Sequence, residues 1–72
     1  MEIREALKIY LAQKGIKQSF ISERTGIPES AISRMLNGNI RLTADAFAKI
    51  CIAVEITMDE VVRFRDAEAE SI

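Results

Sequence analysis

The stretch Gln18-Ser19-Phe20-Ile21-Ser22-Glu23-Arg24-Thr25-Gly26-Ile27-Pro28-Glu29-Ser30-Ala31-Ile32-Ser33-Arg34-Met35-Leu36-Asn37-Gly38 decides the architecture. Its breakers are Gly26-Ile27-Pro28 and Asn37-Gly38-Asn39, and they leave two short pieces, 18–25 and 29–37, each read as a helix. Gly26 falls where the first helix must end and the chain reverse. A left-handed backbone there favours glycine, which has no Cβ to clash. Ile27 then drops back towards the core. Pro28 opens the second helix, where a missing N–H costs no hydrogen bond.

In that second helix the 3.6-residue period puts Ile32, Met35 and Leu36 on one side. Ser30, Ser33, Arg34 and Asn37 fall on the other. The outward face is therefore small, polar and hydrogen-bonding, with one long guanidinium.

Outward from this pair, Ile3, Leu7 and Leu11 recur every four residues, flanked by Ala6 and Tyr10, and predict a helix over roughly 2–13. Gly15 ends it, and Lys14 suits its negative end. A fourth helix runs from about Thr43, the expected N-cap, to Val54, with Asp45 in its positive first turn. Phe47, Ile50, Cys51 and Val54 share one of its faces. Thr57-Met58-Asp59-Glu60 has the form of a capping box and opens a fifth helix, with Val61 and Phe64 on the buried side. No strand is predicted. The expected fold is all-α, five helices over residues 1–65, followed by an acidic tail, 66–72, that extends or frays the last helix.

Composition bounds what such a chain can do. Seventy-two residues make one small domain, which buries only about 60% of its unfolded surface. The single Cys51 cannot form an internal disulfide and reads as a small core residue. With no histidine and one cysteine, zinc and transition-metal sites are nearly excluded, as are His-assisted nucleophiles. The three dispersed glycines form no phosphate-binding loop or dinucleotide fingerprint. No apolar run approaches the ~20 residues that span a membrane. The charged start Met1-Glu2-Ile3-Arg4-Glu5 lacks the pattern of a signal peptide. These exclusions point to a small cytoplasmic binding module without enzymatic activity, cofactor, metal or small-molecule ligand.

Two helices joined by a glycine turn form a helix-turn-helix. The outward face of 29–37 suits a major groove: small side chains allow close approach, and an arginine can grip guanine bidentately. Residues 17–38 resemble the core of the phage repressor/Cro (XRE) family of transcriptional regulators. Phe47 to Val61 is similar to that family's fourth and fifth helices, so the likeness spans roughly residues 3–64.

The resemblance implies a compact five-helix lambda-repressor-like domain. It also implies a regulator, mostly a repressor, that binds an inverted repeat in double-stranded DNA as a homodimer. Gln18 would touch a phosphate and brace the recognition helix. Glu29, Ser30 and Arg34 would meet base edges, and Ser33 and Asn37 base or backbone. Asn39 and Arg41 would line the DNA backbone. Glu29 has a second reading, as a carboxylate that favours the helix N-terminus.

Departures from the family pattern carry their own expectations. Lys17 replaces the usual Ser/Thr cap, which weakens it, Ser22 the usual alanine at the tightest helix contact, where it is small enough to fit, and Glu55 the usual glycine after the fourth helix, where either the residue is strained or the helix ends differently. Leu11 and Leu36 stand where some relatives bury an Arg–Glu pair, for which two leucines are a sound apolar replacement.

Two observations stand against the DNA reading. The chain carries a net charge of −1 and a pI of about 5.4, whereas DNA-binding domains are often strongly basic. Residues 1–41, which hold the motif, have seven Lys/Arg and four Asp/Glu, a balance of +3, and residues 42–72 have three and seven, a balance of −4. Ile9, Phe20 and Ile52 fall on positions that are usually polar. Phe20 is expected to lean into the core, with docking on a second subunit as the alternative. The rival function is an antitoxin-like or anti-regulator module that uses this fold to grip a protein partner.

Overall fold

The computed structural model describes residues 1–70; Ser71 and Ile72, the end of the expected tail, lie outside the described residues. It contains five helices: α1 Ile3–Gln13, α2 Gln18–Thr25, α3 Glu29–Leu36, α4 Ala44–Ala53 and α5 Met58–Glu70. No strand occurs among the described residues. The predicted helix ends Asn37 and Val54 are caps rather than helical residues, and Thr43 is the N-cap it was expected to be. The last helix continues through Asp66 to Glu70, so the described part of the acidic stretch is helical.

The core is built from every helix. Leu7, Ile21, Ile32, Leu36, Ile50 and Val61 are fully buried, and Ala6, Leu11, Met35, Phe47, Cys51 and Ile56 fill the gaps between them. Leu11 and Leu36 are both buried, as an apolar replacement for an ion pair requires. Among the described residues, no charged or polar residue is buried. Burial and, secondarily, the Glu60 carboxylate raise the Cys51 thiol from 9.0 to about 11, which keeps it protonated at neutral pH.

Three helices end in one motif. The amides of Gly15 and Ile16 bond Ala12 and Leu11 behind α1, those of Gly38 and Asn39 bond Met35 and Arg34 behind α3, and those of Glu55 and Ile56 bond Ile52 and Cys51 behind α4. This is the Schellman closure, whose pivot needs a left-handed residue. The pivots have φ of 71° at Gly15, 80° at Gly38 and 58° at Glu55. Glu55 therefore holds a glycine conformation with a full side chain, the strained one of the two outcomes expected there.

At the N-termini, Thr43 accepts the Ala46 amide at 3.1 Å and Thr57 the Glu60 amide at 3.0 Å. The Glu60 carboxylate turns to α1, accepting the Tyr10 hydroxyl at 3.1 Å. Tyr10 also stacks on Phe64, with ring centroids 5.2 Å apart, and Lys14 Nζ sits 5.0 Å over the Tyr10 ring. These contacts seal α5 across α1.

Phe20 departs from expectation: it is 40% exposed and does not extend the core. Only Ile21 of α2 is buried, and its neighbour projects about 100° away, past the edge of that narrow apolar face. The ring lies under the Arg24 guanidinium at 4.8 Å instead. Ile9, on α1, is 36% exposed and Ile52, on α4, 76%.

Candidate nucleic-acid interface

The turn between α2 and α3 is closed from both sides. Gly26 has φ 77° and donates its amide to the Ser22 carbonyl at 2.9 Å. The Ser22 hydroxyl donates to the Ile27 carbonyl at 2.6 Å. The Thr25 hydroxyl donates to the Ile21 carbonyl at 2.8 Å and accepts the Ile27 amide at 3.1 Å. Serine in place of the family's alanine at 22 thus adds a bond across the turn, and α3 leaves it at a fixed angle to α2. Lys17 makes no side-chain cap bond to α2, in keeping with the loss of the usual hydroxyl.

Helix α3 seats Ile32, Met35 and Leu36 in the core, as the periodicity requires, and turns Ser30, Arg34 and Asn37 to the outside. Ser33 is half-buried beside them and accepts the Asn37 side-chain amide at 3.3 Å. Glu29 is exposed in the first turn of α3, at one edge of this face. Gln18 is the first residue of α2; it is half-buried, and its side chain makes no hydrogen bond among the described residues. Asn39 and Arg41 are exposed in the loop that follows α3.

Two residues of this surface were not expected from the sequence. Lys8 of α1 donates to Asn37 Oδ1, and Arg4 Nη1 donates to the Leu36 carbonyl at 2.8 Å. The pair is spaced i, i+4 and lies on one side of α1, a signal visible in the sequence once α1 is known to flank α3.

The charges are not evenly neutralised. Lys49 pairs with Asp45 at 3.1 Å, Arg63 with Asp59 at 2.8 Å and Arg65 with Asp66 at 3.2 Å, so every cation after residue 41 has a carboxylate. Arg34 and Arg41 have none among the described residues. Both side chains are exposed, Arg34 on α3 and Arg41 in the loop that follows it.

A family model, the Cro/C1-type HTH DNA-binding domain, matches residues 6–67. The chain belongs to that family. The match takes in the helix-turn-helix and both flanking parts of the fold, and it supports a DNA-binding regulator of transcription. The family is a DNA-binding domain and not an enzyme class. Comparison with curated proteins and with solved structures found no match.

One other feature of this Cro/C1-type domain's surface stands out. A groove of about 800 Å³ opens between the start of α1, the loop 38–43 and α5, lined by Ile3, Ile40, Leu42, Phe47, Met58 and Val62. A chain of 72 residues has little room for such a space. No helix of the described residues is long and apolar enough to cross a membrane, and they contain no cluster of metal-ligating side chains.

Proposed function

We propose that this Cro/C1-type domain is a sequence-specific, double-stranded-DNA-binding repressor that inserts α3 into the major groove. The observation that carries the reading is the α3 face itself: an unpaired Arg34 fork flanked by the small Ser30 and by Asn37, on a helix locked to α2. Arg34 and Ser30 read base edges, together with Glu29. Ser33 and Asn37 contact bases or backbone. Gln18, at the start of α2, meets a phosphate with the help of the helix N-terminus. Asn39 and Arg41 follow the backbone on the other side.

The protein acts in the cytoplasm as a homodimer on an inverted repeat. Each subunit measures 36 × 24 × 20 Å, a size that lets two copies lie side by side on half-sites about 34 Å apart. With few cations on the molecule, nonspecific binding is weak. Exposed Phe20 and Ile52 favour a second reading, in which a protein partner docks on the face of α2 and α4.

Selection of bound sites from random duplex DNA with the purified protein tests the proposal. A palindromic consensus is the expected result. No enriched sequence, with binding to random duplex that does not weaken as salt rises, would favour the protein partner.

A further inference from the structure

The Schellman closure behind α3 uses the carbonyls of Arg34 and Met35 and leaves the Leu36 carbonyl beyond it. An unpaired carbonyl at a helix C-terminus favours a cationic donor. Arg4 supplies one from another helix. Its Nη1 donates to Leu36 at 2.8 Å, while Nη2 is held by Glu2 at 3.1 Å and Glu5 at 3.4 Å. The side chain is only 23% exposed. The guanidinium also lies against Gly38, where a Cβ would stand 3.1 Å from its Cζ. Glycine at 38 thus serves both the left-handed turn and the close approach of Arg4.

We propose that Arg4 is a positioning residue for DNA reading, which locks the end of α3 and the loop 37–41 to α1. The Arg34 carbonyl is part of the locked unit, since it accepts the amides of Asn39 at 2.8 Å and Ile40 at 3.3 Å. The brace therefore sets the backbone that aims the Arg34 fork and places Arg41. Lys8, through Asn37 and Ser33, is a second strut on the same side. Arg4 directs both terminal nitrogens of its fork to partners inside the protein, so its proposed role is to position α3 and not to contact phosphate. This inference rests on the reading of α3 as the DNA-reading helix, but its first test is made without DNA.

Amide hydrogen exchange of the free, full-length protein is compared for wild type, Arg4→Met and Arg4→Lys. Arg4→Met keeps the stem and removes the fork. It is expected to speed exchange at Asn39 and Ile40 by about tenfold, the size of one charged hydrogen bond. The Gly26 amide, in the turn on the other side of α3, keeps its rate. Arg4→Lys, which keeps the charge but not the fork, falls between the two. If Arg4→Met does not fold, Arg4→Lys decides alone, by faster exchange at these two amides.

On DNA, Arg4→Met is expected to lower the ratio of selected-site to random-duplex affinity about tenfold while leaving the salt slope on random duplex unchanged. Wild-type exchange at Asn39 and Ile40 in the variants would overturn the brace, and so would a shallower salt slope, which would make Arg4 a phosphate contact. If the wild-type protein shows no sequence preference, the proposed function fails, while the exchange rates still decide whether Arg4 holds the end of α3.

Discussion

Glu55 is the one described non-glycine residue with positive φ, at 58°. A left-handed L-residue costs about 1–2 kcal/mol because its Cβ crowds the following carbonyl. Its carboxylate makes no compensating bond among the described residues. Glu55→Gly therefore removes strain, offset by the larger unfolded-state freedom of glycine. A net gain of about 0.5–1 kcal/mol is expected, read as a rise of a few °C in the melting temperature. An unchanged or lower melting temperature would show that the Schellman turn holds glutamate without strain. Cys51 sets a second expectation. Its thiol is raised from 9.0 to about 11 by burial, with Glu60 adding to it. The folded state thus holds this proton more tightly than the unfolded chain, so the contribution is present below pH 9 and is lost as pH rises towards 11. Between pH 8 and 10 the urea midpoint of wild type should fall more than that of Cys51→Ala. Parallel profiles would contradict the shift.

The helices themselves follow from local chemistry. Threonines 43 and 57 cap as their sequence context predicts, and the glycines at 15, 26 and 38 all sit at positive φ. These features, with the apolar period, made the element order, the helix-turn-helix and most of the core legible in the sequence. What was not legible depends on how elements cross. Phe20 lies one residue from a buried isoleucine, and only the narrowness of the inward face of α2 decides that it stays outside. The reach of Arg4 and Lys8 to the end of α3 joins residues 32 and 29 positions apart, a relation that no periodicity encodes. The outward face of α3 was legible at Ser30, Arg34 and Asn37, because it needs only the phase of one helix, while Ser33 at its edge is half-buried. The turn before it gives the prediction at this scale. A Cβ on Gly26 meets nothing within 4 Å, so the cost of replacing it is conformational alone. Gly26→Val should destabilise by about 1–3 kcal/mol, since a β-branched residue resists φ 77°. Gly26→Asn, which tolerates that region, should cost clearly less. Equal denaturation midpoints for the two variants would sink the backbone explanation.

For the whole molecule, the division of charge matters more than its sum. Ion pairs absorb the cations of residues 42–72 and leave the α3 side with open guanidinium forks, which reconciles a net charge of −1 with DNA binding. Exposed apolar residues bear on assembly. Phe20→Glu loses a ring–guanidinium contact worth about 0.5–1 kcal/mol at an exposed site and gains an i, i+4 pair with Arg24 worth about 0.3–0.5 kcal/mol. The variant also gives up the apolar area that the 40%-exposed Phe20 buries, so it should keep its helicity with a moderate loss of stability. If Phe20 seats on a second subunit, sedimentation should show a shift towards monomer and operator affinity should fall. A variant that unfolds would place Phe20 in the core after all, and a folded, fully dimeric variant would remove it from the interface.

The central claim is that the exposed face of α3 reads bases, and Arg34→Ala measures it most directly. The variant is assayed on the selected operator and on operators changed at one base pair at a time. A guanidinium that grips guanine predicts a loss of about 1–3 kcal/mol on the operator, with discrimination relaxed at one position and retained at the others. An equal loss on every sequence would make Arg34 a phosphate contact, and no loss on any would contradict the account.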